Sequence, residues 1–189
     1  MVVGLLGLQG AFLDHIRHLD ALGIAHRIVR DPDGLQQVSR LIIPGGESTV
    51  MDKFLLEFGM MEPLRERIAG GMPTWGICAG AVLLAETVDG RPGSLRALPM
   101  SVIRNAYGRQ LASRVRPIEV PILEALGRHG PFSGVFIRAP RISALGAGVV
   151  VHARSKADPV FVQRRRVMAT TFHPELTSET VFHRYFIGL

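Results

Sequence analysis

The sequence predicts an α/β fold, in which helices cover both faces of a mostly parallel central sheet. Three observations predict it. Apolar runs of strand length alternate with segments of helical periodicity in the first half of the chain, which implies parallel strands joined by right-handed crossovers. The first of these runs is apolar without interruption, as expected for a strand covered on both faces. The length of 189 residues fits one domain, so residues 1–189 are expected to fold as one.

The first half of the chain supplies strands and helices in turn. Residues 2–8 form a continuous apolar run and predict the first strand. Residues 11–22 carry apolar side chains at helical spacing, and Gly23 ends that helix. Residues 31–34, Asp-Pro-Asp-Gly, predict a turn. The predicted strands are 2–8, 25–29, 41–43 and 74–77, and the predicted helices are 11–22, 50–58, 61–69 and 79–85.

The second half of the chain is richer in strands. Arg164-Arg165-Arg166 stands between two apolar runs and predicts a solvated hairpin turn. The predicted strands are 100–104, 135–138, 149–153, 160–163 and 167–171, and the predicted last helix is 179–187. In open sheets of parallel strands the chemistry lies at the carboxyl ends of the strands, and three polar segments follow predicted strands at such positions.

Composition limits the classes of function. The formal net charge is +6, but the arginines are scattered and no nucleic-acid motif accompanies them, so no nucleic-acid partner is expected. No apolar stretch reaches the roughly 18–20 residues of a membrane helix, and the apolar start lacks the basic leader of a signal peptide. A cytoplasmic protein without a membrane partner is expected. The single cysteine excludes an intramolecular disulfide and a zinc site with several Cys ligands.

That cysteine lies in the first of the three segments, Gly76-Ile77-Cys78-Ala79-Gly80, between a predicted strand and a predicted helix. This is the thiol form of the G-x-S-x-G nucleophile elbow, in which the nucleophile sits on a sharp turn and larger flanking residues would collide with neighbouring backbone. The free N–H groups of the following helix can stabilise a thiolate. Cys78 is therefore predicted to be a nucleophile, although a lone cysteine is more often a small buried apolar residue.

The second segment is His173-Pro174-Glu175, directly after a predicted strand. Residues two apart in an extended chain point the same way, so the Glu175 carboxylate is expected to reach the His173 imidazole. Pro174 restricts the backbone on both sides of itself. The segment suits a Cys–His–Glu triad in which His173 takes the thiol proton and Glu175 orients the ring. By itself, H-P-E would be an ordinary strand end as often as a catalytic pair.

The third segment is Pro44-Gly45-Gly46-Glu47-Ser48. Consecutive glycines let backbone N–H groups approach a ligand, so the Gly46 N–H is expected to join the Ala79 N–H in an oxyanion hole. Alone, the segment would be a plain turn before a helix capped by Ser48 or Thr49.

Together and in this order, the three segments resemble the class I glutamine amidotransferases, which have a flavodoxin-like three-layer fold. Within them the chain resembles the glutaminase subunits of pyridoxal 5'-phosphate synthase over nearly its whole length. The resemblance rests on Leu8-Gln9-Gly10-Ala11-Phe12 with His15, Ile42-Ile43-Pro44-Gly45-Gly46-Glu47-Ser48-Thr49, Cys78-Ala79-Gly80, Arg104-Asn105-Ala106-Tyr107-Gly108-Arg109-Gln110, Val135-Phe136-Ile137-Arg138-Ala139-Pro140, Phe172-His173-Pro174-Glu175-Leu176-Thr177 and His183-Arg184-Tyr185-Phe186.

The resemblance implies a substrate, a set of binding residues and a partner. The substrate is L-glutamine, and the ammonia passes through a channel to a synthase subunit that builds the vitamin B6 ring. No metal and no cofactor are implied. The residues implied to bind glutamine are Gly46, Glu47, Ser48, Arg104, Ile137 and Arg138. A cation and N–H donors suit the α-carboxylate of glutamine, and an acceptor suits its α-ammonium.

Other interpretations stay open at this point. The triad also fits a glutaminase subunit of another amidotransferase, such as that of imidazole glycerol phosphate synthase. A non-catalytic or chaperone-like member of the wider cysteine-elbow superfamily and a simple binding module are two further classes. The remaining histidines are expected to be structural or exposed, with His15 and Gln9 near the mouth of the sheet and able to face a partner. We further hypothesise that the oxyanion turn forms only with the partner.

Overall fold

Thirteen strands and six α-helices form in residues 1–106 and 113–189, which are the residues that the computed structural model describes. The strands are β1 (Val3–Leu6), β2 (His26–Val29), β3 (Arg40–Ile43), β4 (Thr74–Ile77), β5 (Ala85–Val88), β6 (Arg91–Pro92), β7 (Leu98–Ile103), β8 (Ser113–Ile118), β9 (Phe132–Ile137), β10 (Arg141–Leu145), β11 (Val150–Ser155), β12 (Asp158–Arg164) and β13 (Val167–Thr170). The helices are α1 (Ile16–Ala21), α2 (Pro32–Gln36), α3 (Ser48–Glu57), α4 (Met61–Ala69), α5 (Ala79–Leu84) and α6 (Val181–Ile187).

The central sheet has seven strands in the order β11-β12-β13-β4-β3-β1-β2. Neighbouring strands from β13 to β2 pair in parallel, while β11 and β12 extend the sheet as an antiparallel edge. Because parallel strands share one carboxyl edge, the segments that follow β3, β4 and β13 meet at that edge. This arrangement confirms the predicted mostly parallel α/β sheet.

Two apolar clusters cover the two faces of this sheet. Successive residues of a strand point to opposite faces, and in β3 Leu41 and Ile43 pack into one cluster while Ile42 packs into the other. Helices α2, α3, α4 and α5 contribute to the first cluster, and α1 and α6 to the second. Helices thus cover both faces, as the sequence predicts for a three-layer fold.

Two smaller sheets flank the central one. Strands β10, β7, β5 and β6 form a four-stranded sheet whose apolar residues join the first cluster, and β8 pairs with β9 against the second. Strands β5, β6, β8 and β10 were not predicted. In β8 only Ile118 is buried, and the remaining residues alternate between exposed and half-buried, so the strand carries little of the apolar pattern by which strands are identified.

Several local predictions need correction. Residues 31–34 are not a free turn but the start of α2, where the Asp31 carboxylate accepts the Gly34 N–H at 2.7 Å and Pro32 takes the first position. Aspartate followed by proline is also a helix-start signal. The helix predicted over 11–22 begins only at Ile16, after a 3-10 turn at Leu13–His15.

The hairpin predicted at the three consecutive arginines is confirmed. Strands β12 and β13 pair antiparallel with Arg164 opposite Val167, and all three arginines are exposed. Within the described ranges, no helix is long and apolar enough to cross a membrane.

Candidate active site

A cavity of about 380 Å³ opens at the carboxyl edge of the central sheet. Its lining brings together residues that follow β1, β3, β4, β7, β9 and β13. Every predicted substrate-binding and oxyanion residue lies in this lining, together with two of the three triad residues. The lining residues are Ala11, Gly45, Gly46, Glu47, Ser48, Cys78, Ala79, Val82, Arg104, Asn105, Ile137, Arg138, Pro140, His173 and Leu176.

Cys78 sits on a strained turn between β4 and α5. Its backbone angles are φ 50° and ψ −100°, a combination that L-residues avoid and that costs roughly 1–3 kcal/mol when the surrounding structure enforces it. Its N–H donates to the Thr170 carbonyl at 2.8 Å, which ties the turn to β13. The side chain is 8% exposed, and its S–H donates to the Ile137 carbonyl at 3.7 Å. These contacts hold the sulfur at the wall of the cavity.

The two glycines of the elbow are sterically required. A Cβ on Gly80 would lie 2.1 Å from the Ile43 carbonyl oxygen, and a Cβ on Gly76 would lie 2.6 Å from the Gly80 backbone. Both contacts are with backbone that cannot move aside. The glycines therefore let α5 pack against β3 and β4 directly below Cys78, as the elbow pattern predicts.

His173 and Glu175 form the predicted pair, but through a different backbone. His173 Nδ1–H donates to Glu175 Oε1 at 2.6 Å. The two residues are not part of an extended chain, because Pro174–Leu176 is a 3-10 turn. That turn folds the carboxylate back under the ring, and the His173 N–H donates to the Val135 carbonyl of β9 at 2.8 Å. Glu175 is fully buried behind the ring and does not reach the cavity.

The electrostatics of this pair favour an imidazolium next to a carboxylate. Burial lowers the pKa of His173, but Cys78 and the Glu175 carboxylate outweigh it and raise the pKa to about 10. Burial raises the pKa of Glu175, and the hydrogen bond from His173 outweighs this and holds the pKa below its ordinary value. His173 Nε2 is buried without a partner at hydrogen-bonding distance. His173 Nε2 therefore makes no hydrogen bond to the Cys78 sulfur here, although the two side chains are close enough to interact electrostatically.

The loop after β3 lies against both His173 and the N-terminal loop. A Cβ on Gly45 would lie 2.4 Å from His173 Cε1, and a Cβ on Gly46 would lie 2.4 Å from Gln9 Oε1. The Glu47 N–H donates to the same Gln9 oxygen at 2.9 Å. At positions 45 and 46 glycine lets this loop lie close to both His173 and Gln9. This agrees with the prediction that the glycines let backbone N–H groups approach a ligand.

The alternative interpretation of this loop, as a plain turn before a helix capped by Ser48 or Thr49, is not supported. Helix α3 begins at Ser48 with Glu47 as its N-cap, and no side chain makes a capping hydrogen bond. Thr49 Oγ1 instead donates to the Glu47 carboxylate at 3.1 Å. Ser48 and Thr49 are therefore not caps.

Two arginines, Arg104 and Arg138, line the cavity. Arg104 Nε donates to Asp89 Oδ2 at 2.7 Å, and the Arg104 N–H donates to Asp89 Oδ1 at 2.9 Å. These backbone and side-chain hydrogen bonds lower the pKa of Asp89. Arg138 is exposed and has φ 44°. The Ile137 carbonyl group faces the Cys78 sulfur.

Part of one motif lies outside this description. Residues 107–110, the Tyr-Gly-Arg-Gln of the Arg104 segment, fall outside the described residues.

Sequence reasoning missed several residues at this site. Asn105 and Leu176 line the cavity, and both belong to motifs that carried the family resemblance, so the motifs held a signal for them. Asp89 fixes Arg104, but it stands in a segment without a recognisable pattern. His15 is fully buried, which agrees with a structural role and means that it does not face a partner. His18 and His183 are also buried, in agreement with a structural role.

Comparison with known proteins matches this geometry. A family model described as the SNO glutamine amidotransferase family matches residues 5–189. The chain is 45% identical over 195 residues to a pyridoxal 5'-phosphate synthase subunit PdxT of Herpetosiphon aurantiacus, covering 100% of both chains. It is 45% identical to the subunit of the same name of Deinococcus radiodurans, covering 100% of this chain and 97% of the relative.

Solved structures agree. One described as a glutamine amidotransferase superposes with a TM-score of 0.90 at 43% identity, covering 100% of this chain and 98% of the other. A structure of PurLQS from Thermotoga maritima superposes with a TM-score of 0.76 at 15% identity, covering 99% of this chain and 97% of that one. At that identity the second likeness concerns the fold alone.

Proposed function

This chain belongs to the SNO glutamine amidotransferase family, and from that premise we propose that it hydrolyses L-glutamine to L-glutamate and ammonia as the glutaminase subunit of a pyridoxal 5'-phosphate synthase. The single observation that carries the proposal is the cavity in which Cys78 and His173 meet the glycine loop, with Glu175 hydrogen-bonded behind His173. The relatives that share its full length carry the name of that subunit.

The proposed mechanism assigns one step to each group. The Cys78 thiolate attacks the side-chain amide carbon of glutamine, and the oxyanion accepts hydrogen bonds from the Gly46 and Ala79 N–H groups. Imidazolium His173 gives its proton to the leaving ammonia, and a γ-glutamyl thioester forms. His173 then takes a proton from water, which attacks the thioester and releases glutamate. Glu175 keeps the ring oriented and stabilises its charged form throughout.

The remaining cavity residues are proposed to hold the amino-acid end of glutamine. Arg104 and Arg138 supply positive charge for the α-carboxylate, and Glu47 supplies an acceptor for the α-ammonium. Ser48 and the backbone of Ile137 complete the binding set. Residues 1–189 act as one glutaminase domain in this proposal. The mechanism uses neither a metal nor an organic cofactor.

The proposed partner is a synthase subunit that receives the ammonia through a channel and uses it to build the vitamin B6 ring. The cytoplasm is the proposed location, since a free thiol stays reduced there. That the Gly46 turn is completed only when the partner binds stays a prediction, because it depends on the orientation of the Gly46 N–H in the free and bound chains.

The experiment is glutamate release from glutamine, with and without the cognate synthase subunit, for wild type and Cys78→Ala. Activity that appears with the partner and is absent from the variant is the expected result. No hydrolysis by the wild type in either condition would contradict the proposal. Hydrolysis stimulated only by a different amidotransferase synthase subunit, such as that of imidazole glycerol phosphate synthase, would contradict the assigned partner.

A further inference from the structure

A second cavity, of about 440 Å³, lies at the amino edge of the central sheet, at the other end of the strands from Cys78 and His173. Its walls are the second half of α4, the segment that leads into β4, the segment before β7 and the β12–β13 hairpin. The proposed mechanism uses no residue of this cavity.

Hydrogen bonds hold the walls of this second cavity together. Arg65 Nε and Nη2 both donate to the Ser94 carbonyl, at 3.0 and 2.5 Å, and join α4 to the segment before β7. The Thr74 N–H donates to the Arg166 carbonyl at 3.0 Å and joins the start of β4 to the hairpin. The cavity is therefore pre-formed, as the binding sites of small molecules usually are.

The lining of the second cavity is strongly positive. Among the residues that the structure describes, it contains five arginines and no acidic residue. Arg65 also pairs with Glu62, and Arg166 Nε donates to the Leu189 carbonyl at 2.6 Å. The side chains of the other three arginines make no hydrogen bond or ion pair within the described ranges. Guanidinium groups that share a cavity repel one another, so a bound anion would stabilise them. The five are Arg65, Arg96, Arg164, Arg165 and Arg166.

The surroundings of the cavity do not neutralise this charge. Burial lowers the pKa of Arg40, and the positive charge of Arg166 lowers it further. Glu66 lines an adjoining cavity, but it shares that lining with Arg67 and Arg166. Positive charge thus exceeds negative charge at this edge of the sheet.

The second cavity also has an apolar floor. Ile68, Met72, Leu95 and Val167 line it and are each at most 8% exposed, whereas Arg96 and the hairpin arginines are exposed. A ligand with an apolar body would cover this floor, which an inorganic anion leaves open to water. Nucleic-acid bases stack on aromatic side chains, and the described lining contains none. The combination of a positive rim and an apolar floor favours a small amphipathic anion.

We propose that this cavity is a binding site for a phosphate monoester with a compact apolar body. A phosphate monoester carries roughly −1.5 to −2 charges near neutral pH and has three acceptor oxygens, so it can engage more guanidinium groups than a carboxylate can. Arg96 and Arg164 bind the phosphate from two walls, and the apolar floor contacts the body. The site is independent of the proposed function, and its test needs no glutamine.

The test is the binding of phenyl phosphate to the full chain, measured by isothermal titration calorimetry at low salt. Phenyl phosphate carries both parts of the ligand, inorganic phosphate only the charge, and phenol only the apolar body. Phenyl phosphate is expected to bind at least about tenfold more tightly than inorganic phosphate, because burial of the ring adds to the ionic contacts. Phenol is expected to give no heat of binding.

A pair of double variants separates the cavity from the overall charge. Arg96→Gln combined with Arg164→Gln removes two guanidinium groups from the cavity, and should weaken the binding of phenyl phosphate at least about tenfold. The control is Arg27→Gln combined with Arg184→Gln, which removes the same charge outside the cavity and should change Kd less than about twofold. All four positions are exposed, so both double variants are expected to fold.

Amide chemical shifts locate the bound ligand, because Arg104 and Arg138 of the first cavity also offer positive charge to an anion. Phenyl phosphate is expected to shift the amide signals of residues 95–97 and 164–167, at the second cavity. Shifts confined to residues 46–48 and their neighbours in the first cavity would overturn the proposal.

Three further results would overturn it. The first is no binding of phenyl phosphate by the wild type. The second is equal weakening in the two double variants, which would show an attraction to overall charge. The third is inorganic phosphate bound as tightly as phenyl phosphate, which would show that the apolar floor takes no part. Binding of a short DNA oligonucleotide without binding of phenyl phosphate would assign the arginines to a nucleic-acid surface instead.

Discussion

The two sides of the candidate active-site cavity are built by different physical means. On the Cys78 side the position of the thiol follows from sterics, because glycines at 76 and 80 allow backbone to touch backbone and a strained φ of 50° turns the side chain outward. On the His173 side the position follows from a buried polar network that joins a 3-10 turn, strand β9 and two distant helices. The first side is encoded locally, and the second depends on tertiary contacts.

The difference predicts how each side fails. Steric packing cannot accept added volume, so substitutions at the elbow act on stability. A polar network can lose a member and still fold, so substitutions there act on catalysis and on pH dependence. The following predictions test this division in order of decreasing size.

Replacing Glu175 with Gln should lower kcat by roughly 10³–10⁴-fold, the order seen when the acid of a triad becomes an amide. The amide keeps the shape of the side chain but neither stabilises the imidazolium nor selects the right tautomer. Steady-state glutamate release in the complex measures the effect. The thermal transition, followed by circular dichroism, should stay cooperative. A Glu175→Gln variant with at least a tenth of wild-type kcat would contradict the triad role of the carboxylate.

Replacing Gly80 with Ala should lower the free energy of unfolding by about 3 kcal/mol, because the new methyl group would lie 2.1 Å from the Ile43 carbonyl oxygen. Urea denaturation measures it. Gly23→Ala is the matched control, since Gly23 has φ 65° and no atom within 4 Å of the added Cβ. It should cost only the strain of its backbone, about 1 kcal/mol. Equal costs at the two positions would refute the steric account of the elbow.

Stability should fall as the pH rises above neutrality. The pKa of His173 is 6.5 in the unfolded chain and about 10 in the fold. Between pH 6.5 and pH 10 the folded state therefore keeps a proton on His173 that the unfolded state has lost. The contribution is complete below about pH 6.5 and is lost as the pH approaches 10, with a slope of up to roughly 1.4 kcal/mol per unit. Urea titrations at several pH values measure it, and His173→Gln should remove most of this slope. A wild type whose stability is flat over this range would contradict the imidazolium assignment.

Replacing Cys78 with Gly should give a protein about 1 kcal/mol more stable than Cys78→Ala, because glycine tolerates the φ of 50° at this position. Neither variant can form a thioester, so the comparison isolates the backbone strain. Thermal unfolding of the two variants side by side measures it. A more stable alanine variant would show that the turn is not strained.

The difference between the sterically fixed Cys78 side and the hydrogen-bonded His173 side also explains which parts of the site could be predicted from the sequence. The elbow is visible as a five-residue pattern because its demands are local, and the structure places Gly76 and Gly80 where that pattern requires them. The pairing of His173 with Glu175 was predicted correctly, but the backbone conformation assumed for it was wrong. Pro174 begins a 3-10 turn, which sequence spacing alone does not distinguish from an extended segment.

Contacts between residues far apart in the sequence were not predicted. His15 lies 168 positions from His183 in the chain, yet their ring nitrogens meet at 2.9 Å, and nothing local to either residue indicates this. Strand β8 was missed for a related reason. It is recognised through its pairing with β9, while its own residues are mostly exposed or half-buried.

The most direct test of the central claim, that the elbow holds Cys78 as a nucleophile which the buried pair activates, is to look for the covalent intermediate. The complex with the synthase subunit is mixed with glutamine, quenched in acid at short times and analysed by intact-mass and peptide mass spectrometry. We expect a γ-glutamyl adduct on Cys78 in the wild type, formed much more slowly in Glu175→Gln and absent from Cys78→Ala. Glutamate release by the wild type with no adduct at any time, or by Cys78→Ala at the wild-type rate, would contradict it.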